Sequence, residues 1–150
     1  MKMEKARKKR FQRIESLDQK RLDASINELR QCYQTIEQRK QIRNSILLRL
    51  RESLTELENS ASLELKNHTV EWADRMQSTL AQLDEHLESL DELRSQLLEK
   101  VRQQRVKVEG WTVLLEKIEA EEMASMQKEA MFEADDRVLG KLSANQRRTK

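Results

Sequence analysis

Two histidines, one cysteine and 27 carboxylates are the side chains of this chain best suited to metal or acid–base chemistry, and their spacing argues against both. His68 and His86 lie 18 residues apart with no third ligand at helical spacing, so neither a metal site nor a general base is expected. Cys32 has no second cysteine for a disulfide or a thiolate zinc site. It reads as a small, inert residue beside a packing seam, in a protein of a reducing compartment. The carboxylates are interleaved with Lys and Arg as on solvated helix faces, where nothing excludes water or shifts a pKa. The phosphate-cradling, HExxH and GxSxG motifs are all absent. The chain is therefore expected to have no catalytic residues, cofactor, metal or small-molecule substrate, and not to be an enzyme.

Charge is the other chemistry on offer. Residues 1–13 carry seven Lys/Arg against Glu4, and residues 137–150 carry five basic residues and no acid. Between them, residues 84–92 hold five carboxylates, and residues 116–136 hold eight against Lys117 and Lys128. The net charge of +2 hides this segregation. A basic opening that leads straight into a helix raises the possibility of a DNA-binding zipper. Such an arm normally reads base edges through an Asn and spaced Arg, but residues 1–20 contain no Asn. Nucleic acid is thus an unfavoured partner, reached only through sequence-independent contacts of the basic ends.

The elements that must carry these charges are long helices. Proline is absent, only Gly110 and Gly140 interrupt helix-forming sequence, and aromatics make up 3% against 37% charged residues, which disfavours a compact core. Alanine, leucine, glutamate, lysine and arginine together exceed half the chain, the composition of coiled coils. Apolar residues at alternating steps of four and three mark a first seam through Leu22, Ile26, Leu29, Tyr33 and Ile36, then Lys40 and Arg43, then Leu47, Leu50, Leu54, Leu57 and Ala61. Phe11 and Ile14 join it through Asp18 with a stutter. A second seam runs from Ala73, Met76, Leu80 and Leu83 through Arg94, Leu97, Val101 and Gln104 to Trp111, Leu115 and Ile118. Beyond it Met123, Met126, Met131 and Phe132 lie on a helix that has outrun its partner.

The expected fold is all-α, a long antiparallel two-helix coiled-coil hairpin forming one domain. Arm 1 covers about 5–58, the bend about 59–69, arm 2 about 70–140 and a basic flexible tail 141–150. Asn59, Ser60, Ser62, Asn67 and Thr69 suit caps and turns, and Thr69 is read as the N-cap of the second arm. Folding back there sets position i opposite about 130 − i. Lys40 and Arg43 then face the neighbourhood of Glu88 and Asp91, Arg94 faces Ile36 beside Glu37, and Lys5 to Arg10 face Glu121 and Glu122. Gly110 reads either as a position of close packing beneath Trp111 or as a flex point that lets the end of the hairpin bend. The sequence holds no apolar run of about 18 residues, no signal-peptide core and no lipidation motif, so a cytoplasmic location is expected.

Two stretches resemble a known family. KKRFQRIESLDQKRLDASINELR (residues 8–30), with Phe11, Ile14 and Leu17 ahead of Asp23, Ala24 and Leu29, looks like the opening of the FliJ/YscO family of type III export stalk proteins. VEGWTVLLEKIEAEEMASMQKEAMFEADDRVL (residues 108–139), ending in the pair Asp135 and Asp136 near Leu139, is similar to that family's closing segment. The resemblance implies a non-enzymatic stalk of a type III export apparatus, flagellar rather than virulence. Its paired termini would enter a hexameric export ATPase, and its bend-side half would meet the export gate, a membrane protein. Export chaperones are further implied partners, and the location becomes cytoplasmic, peripheral at the inner-membrane export apparatus. On this reading Arg7, Lys8, Arg10, Arg13, Arg137 and Lys141 are candidates for ATPase contact, and Leu65, Val70 and Trp72 for gate contact. A generic coiled-coil scaffold or adaptor and a nucleic-acid-binding coiled coil are the alternatives from other classes.

Overall fold

The computed structural model describes residues 2–59 and 62–148. It contains helix α1, Lys2–Asn59, and helix α2, Leu63–Arg148, packed together as an all-α antiparallel hairpin without strands among the described residues. With no proline to remove a donor and two glycines in 150 residues, nothing in either segment stops helix propagation. Ser60 and Ala61, placed in the bend and at the end of the first seam by sequence, lie outside the described residues. Two units make up the hairpin, Lys20–Gln104, which includes the turn, and Met1–Gln19 with Arg105–Lys150.

The bend is shorter than the expected 59–69. α2 begins at Leu63, and its cap is Ser62 rather than Thr69: the Leu65 amide donates to Ser62 Oγ at 3.4 Å and the Lys66 amide to the Ser62 carbonyl at 3.2 Å. Thr69 lies inside the helix and donates its hydroxyl to the Leu65 carbonyl at 2.8 Å, which removes its competition with the helical backbone. At the other end, residues 141–148 continue α2 instead of forming a flexible tail, while residues 149–150 of that expected tail lie outside the described residues.

In the unit Lys20–Gln104 the seam of α2 follows the expected track, with Leu83, Leu97 and Val101 buried and Met76, Leu80, Leu87 and Leu90 half-buried. The seam of α1 differs at several positions, although Ile26 and Leu47 stay half-buried. Ser25 is 2% exposed and Cys32 5%, whereas Tyr33 is 47% and Leu54 54% exposed. Arg39 rather than Lys40, and Ser53 rather than Leu54, turn inward. At Ser25, Cys32 and Ser53 the residue turned inward is the smaller neighbour of the apolar one expected, whereas Arg39 for Lys40 exchanges one long cation for another. A small side chain fills the seam at those first three positions, which suits close packing between two helices. Cys32 is thus within the seam, not beside it, and its thiol reaches the Leu90 carbonyl at 3.5 Å. Upstream of Leu22, Lys8, Phe11, Ile14, Glu15 and Asp18 are all half-buried, so both Ile14 of the expected track and its neighbour Glu15 turn partly inward.

Candidate interaction surface

The pairing that positions the charged side chains is antiparallel in both units. Lys8 meets Glu122, Asp18 meets Trp111, Glu28 meets Lys100 and Arg43 meets Asp84, each pair of numbers adding to within three of 130. In the turn-containing unit the polar breaks find partners other than those expected. Arg43 Nε lies 2.7 Å from Asp84 Oδ1, about a turn from Glu88, because Asp84 shares the open groove in which Arg43, Lys40, Glu88 and Asp91 converge. Arg94 Nε donates to Asp91 Oδ1 on its own helix at 2.9 Å rather than to Glu37, with the Tyr33 hydroxyl of the other helix near enough to affect its ionisation. The Tyr33 hydroxyl, followed by the Asp91 carboxylate, raises its pKa above the ordinary guanidinium value. Exposed Tyr33 thus serves as a polar brace at the seam edge.

The unit Met1–Gln19 with Arg105–Lys150 is organised around Trp111. Its Nε1 donates to Asp18 Oδ2 at 2.8 Å, and its ring packs against Phe11 at 5.4 Å between centroids. Arg7 lies over the other part of this stack, 5.4 Å from the Phe11 centroid. Gly110 is exposed, and a Cβ there would meet nothing within 4 Å. Close packing beneath Trp111 is therefore not the reason for this glycine, and the structure offers no other.

The candidate ATPase-facing cations separate into three kinds. Lys8 is half-buried and tied internally, 3.0 Å from Glu122 and 3.9 Å from Glu119, as the expected pairing of the basic opening with the acidic segment requires. Arg7 is engaged by Phe11 while lining a groove with Lys117, Ile118 and Glu121. Arg10 and Arg13 are exposed. Arg137 and Lys141, also exposed, lie beyond Glu122 by 15 and 19 residues, or about 22 and 28 Å along the helix. They do not form one patch with the opening residues.

Near the turn, Leu65 and Val70 are 54% and 50% exposed, and Trp72 is half-buried. Leu65 and Trp72 are seven residues apart and share a face of α2. Val70 points roughly 140° away from Leu65 at about 100° per residue, so the three candidates do not form a single contact surface. His68 and His86 are exposed, and among the described residues no three His, Cys, Asp or Glu are grouped to hold a metal ion. No helix among them is long and apolar enough to cross a membrane.

The apolar residues past the seam form the most exposed surface. From residue 123 to 147 every residue of α2 is exposed, including Met131, Phe132, Val138, Leu139 and Leu142. The sequence reading placed the methionines and Phe132 beyond the seam but did not group them with Val138, Leu139 and Leu142, although the seven-residue steps from Met131 to Val138 and from Phe132 to Leu139 are present in the sequence. No protein-family model, curated protein or solved structure matches the chain.

Proposed function

We propose that this chain is a non-enzymatic stalk of a type III protein export apparatus, the flagellar one in the first instance, working in the cytoplasm at the inner membrane. The single observation that supports this reading is the inequality of the hairpin. α2 continues for 26 residues past Glu122, the partner of Lys8, and so supplies a helical extension flanked by basic residues that a ring of acidic loops would attract. Arg10 and Arg13, with Arg137 and Lys141, are the ATPase-contacting cations in this proposal. Arg7 contributes in part, and Lys8 instead holds the two helices together. Leu65 and Trp72 form the gate-contacting face, and export chaperones dock on the same stalk.

The test is binding of the purified chain to the hexameric export ATPase and to the cytoplasmic part of the export gate encoded by the same genome. Arg10→Glu with Arg13→Glu should weaken ATPase binding, more at low salt than at high salt, and leave gate binding intact. Trp72→Ala should have the reverse effect. A parent chain that binds neither component would remove the export reading.

A further inference from the structure

Seven large apolar side chains on the end of α2, Met123, Met126, Met131, Phe132, Val138, Leu139 and Leu142, are between 55% and 68% exposed. Five of them fall within residues 131–142 and on one face. Met131 and Val138 are seven residues apart, as are Phe132 and Leu139, and Leu142 falls between the two rows. A seven-residue recurrence suits a helix lying alongside, because it keeps the stripe facing one partner over successive turns. An uncovered stripe of this kind marks an interaction surface.

Charge identifies the partner. Residues 129–136 carry Glu129, Glu133, Asp135 and Asp136 with no base, whereas residues 137–148 carry Arg137, Lys141, Arg147 and Arg148 with no acid. The sign changes between Asp136 and Arg137, which is also the middle of the apolar stripe. A two-fold axis at that point brings the stripe of one copy onto the stripe of another and the acidic half of each onto the basic half of its mate. A parallel arrangement would set like charges together.

We infer that the projecting end of α2 is a self-complementary surface through which two copies of this chain associate antiparallel, centred near residues 136–137. Met131 and Phe132 of one copy pack against Leu142 of the other, and Glu129 comes within reach of Arg147. Asp135, inside the stripe, limits the affinity. The contact spans about three helical turns, so the dimer forms and dissociates readily. This inference does not depend on the export reading.

Sedimentation of the full chain from low to high micromolar concentration provides the test. The parent should pass from monomer to dimer, and Phe132→Glu with Leu139→Glu should raise the dissociation constant more than about tenfold, with helicity and melting of the monomer unchanged. The variant Glu129→Lys and the variant Arg147→Glu, which flank the stripe on the same side, should each dimerise poorly alone and recover dimerisation when mixed. A parent that stays monomeric throughout overturns the inference. So does a dimer indifferent to the Phe132 and Leu139 substitutions, or a mixture that dimerises no better than its components.

Discussion

At the scale of single residues, the most specific contact in the hairpin is polar. Trp111 brings a large apolar surface to the partner helix but also an N–H that must be satisfied when half-buried, and Asp18 meets it at 2.8 Å. Asp18→Ala removes the acceptor and should destabilise the hairpin by about 1–3 kcal/mol. Asp18→Asn keeps an acceptor oxygen and should cost less. Thermal melting of the two variants checks this, and equal losses would mean that the indole bond does not anchor the pair. The same scale explains Ser25 and Cys32. Hydrophobicity ranks Ile26 and Tyr33 above them, but a seam between two backbones selects for size as well as polarity. Tyr33 then remains at the edge, where its hydroxyl can reach Arg94.

Among the elements, the turn distinguishes two hydroxyl residues that sequence could not rank. Ser62 and Thr69 are both competent caps, and only the first is at a helix start. Ser62→Ala should therefore cost about 1 kcal/mol, lowering the melting temperature by about 2–4 °C in a chain of this size. Thr69→Ala removes only an intrahelical side-chain bond to Leu65 and should be nearly neutral or slightly stabilising, since alanine is the better helix former. If Thr69→Ala were the more damaging variant in a melting comparison, α2 would begin later than Leu63. The short turn also accounts for the narrow choice of cap. With α1 ending at Asn59 and α2 starting at Leu63, few residues remain to satisfy the first amides of the second helix.

For the molecule as a whole, register is carried by a few ion pairs that are weak individually. Exposed pairs contribute about 0–1 kcal/mol each, so they select among registers rather than hold the helices together. A zero-length carbodiimide cross-link should nonetheless join Lys8 to Glu122 and Lys100 to Glu28 within one chain, as read by peptide mass spectrometry. Lys8 linked instead to acids near the turn would contradict the antiparallel pairing. In dilute solution, amides of residues 130–147 should exchange with solvent faster than those of residues 108–118, because they are exposed throughout and lie past the groove that Ser125, Met126 and Glu129 share with the start of α1. Uniform protection along α2 would mean that the projecting end is covered even in the monomer.

The hairpin itself was legible from sequence. A chain without proline and with one polar interruption between two apolar tracks has few other ways to bury leucines, and the track of α2 from Ala73 to Ile118 was readable residue by residue because its bulky side chains coincide with its buried ones. Opposite charge blocks likewise foretold that the basic opening would meet the acids around Glu122. The true seam of α1 depended on the partner: whether Ser25 or Ile26 turns inward is decided by how closely two backbones can approach, which is a property of the pair. Register at the level of single bonds, Asp84 rather than Glu88 for Arg43, also required tertiary structure. Long flexible cations can reach several carboxylates one turn apart at nearly equal energy; for Arg43 the relative placement of the helices brings Asp84 within 3 Å, whereas Arg94 meets Asp91 three residues away on its own helix.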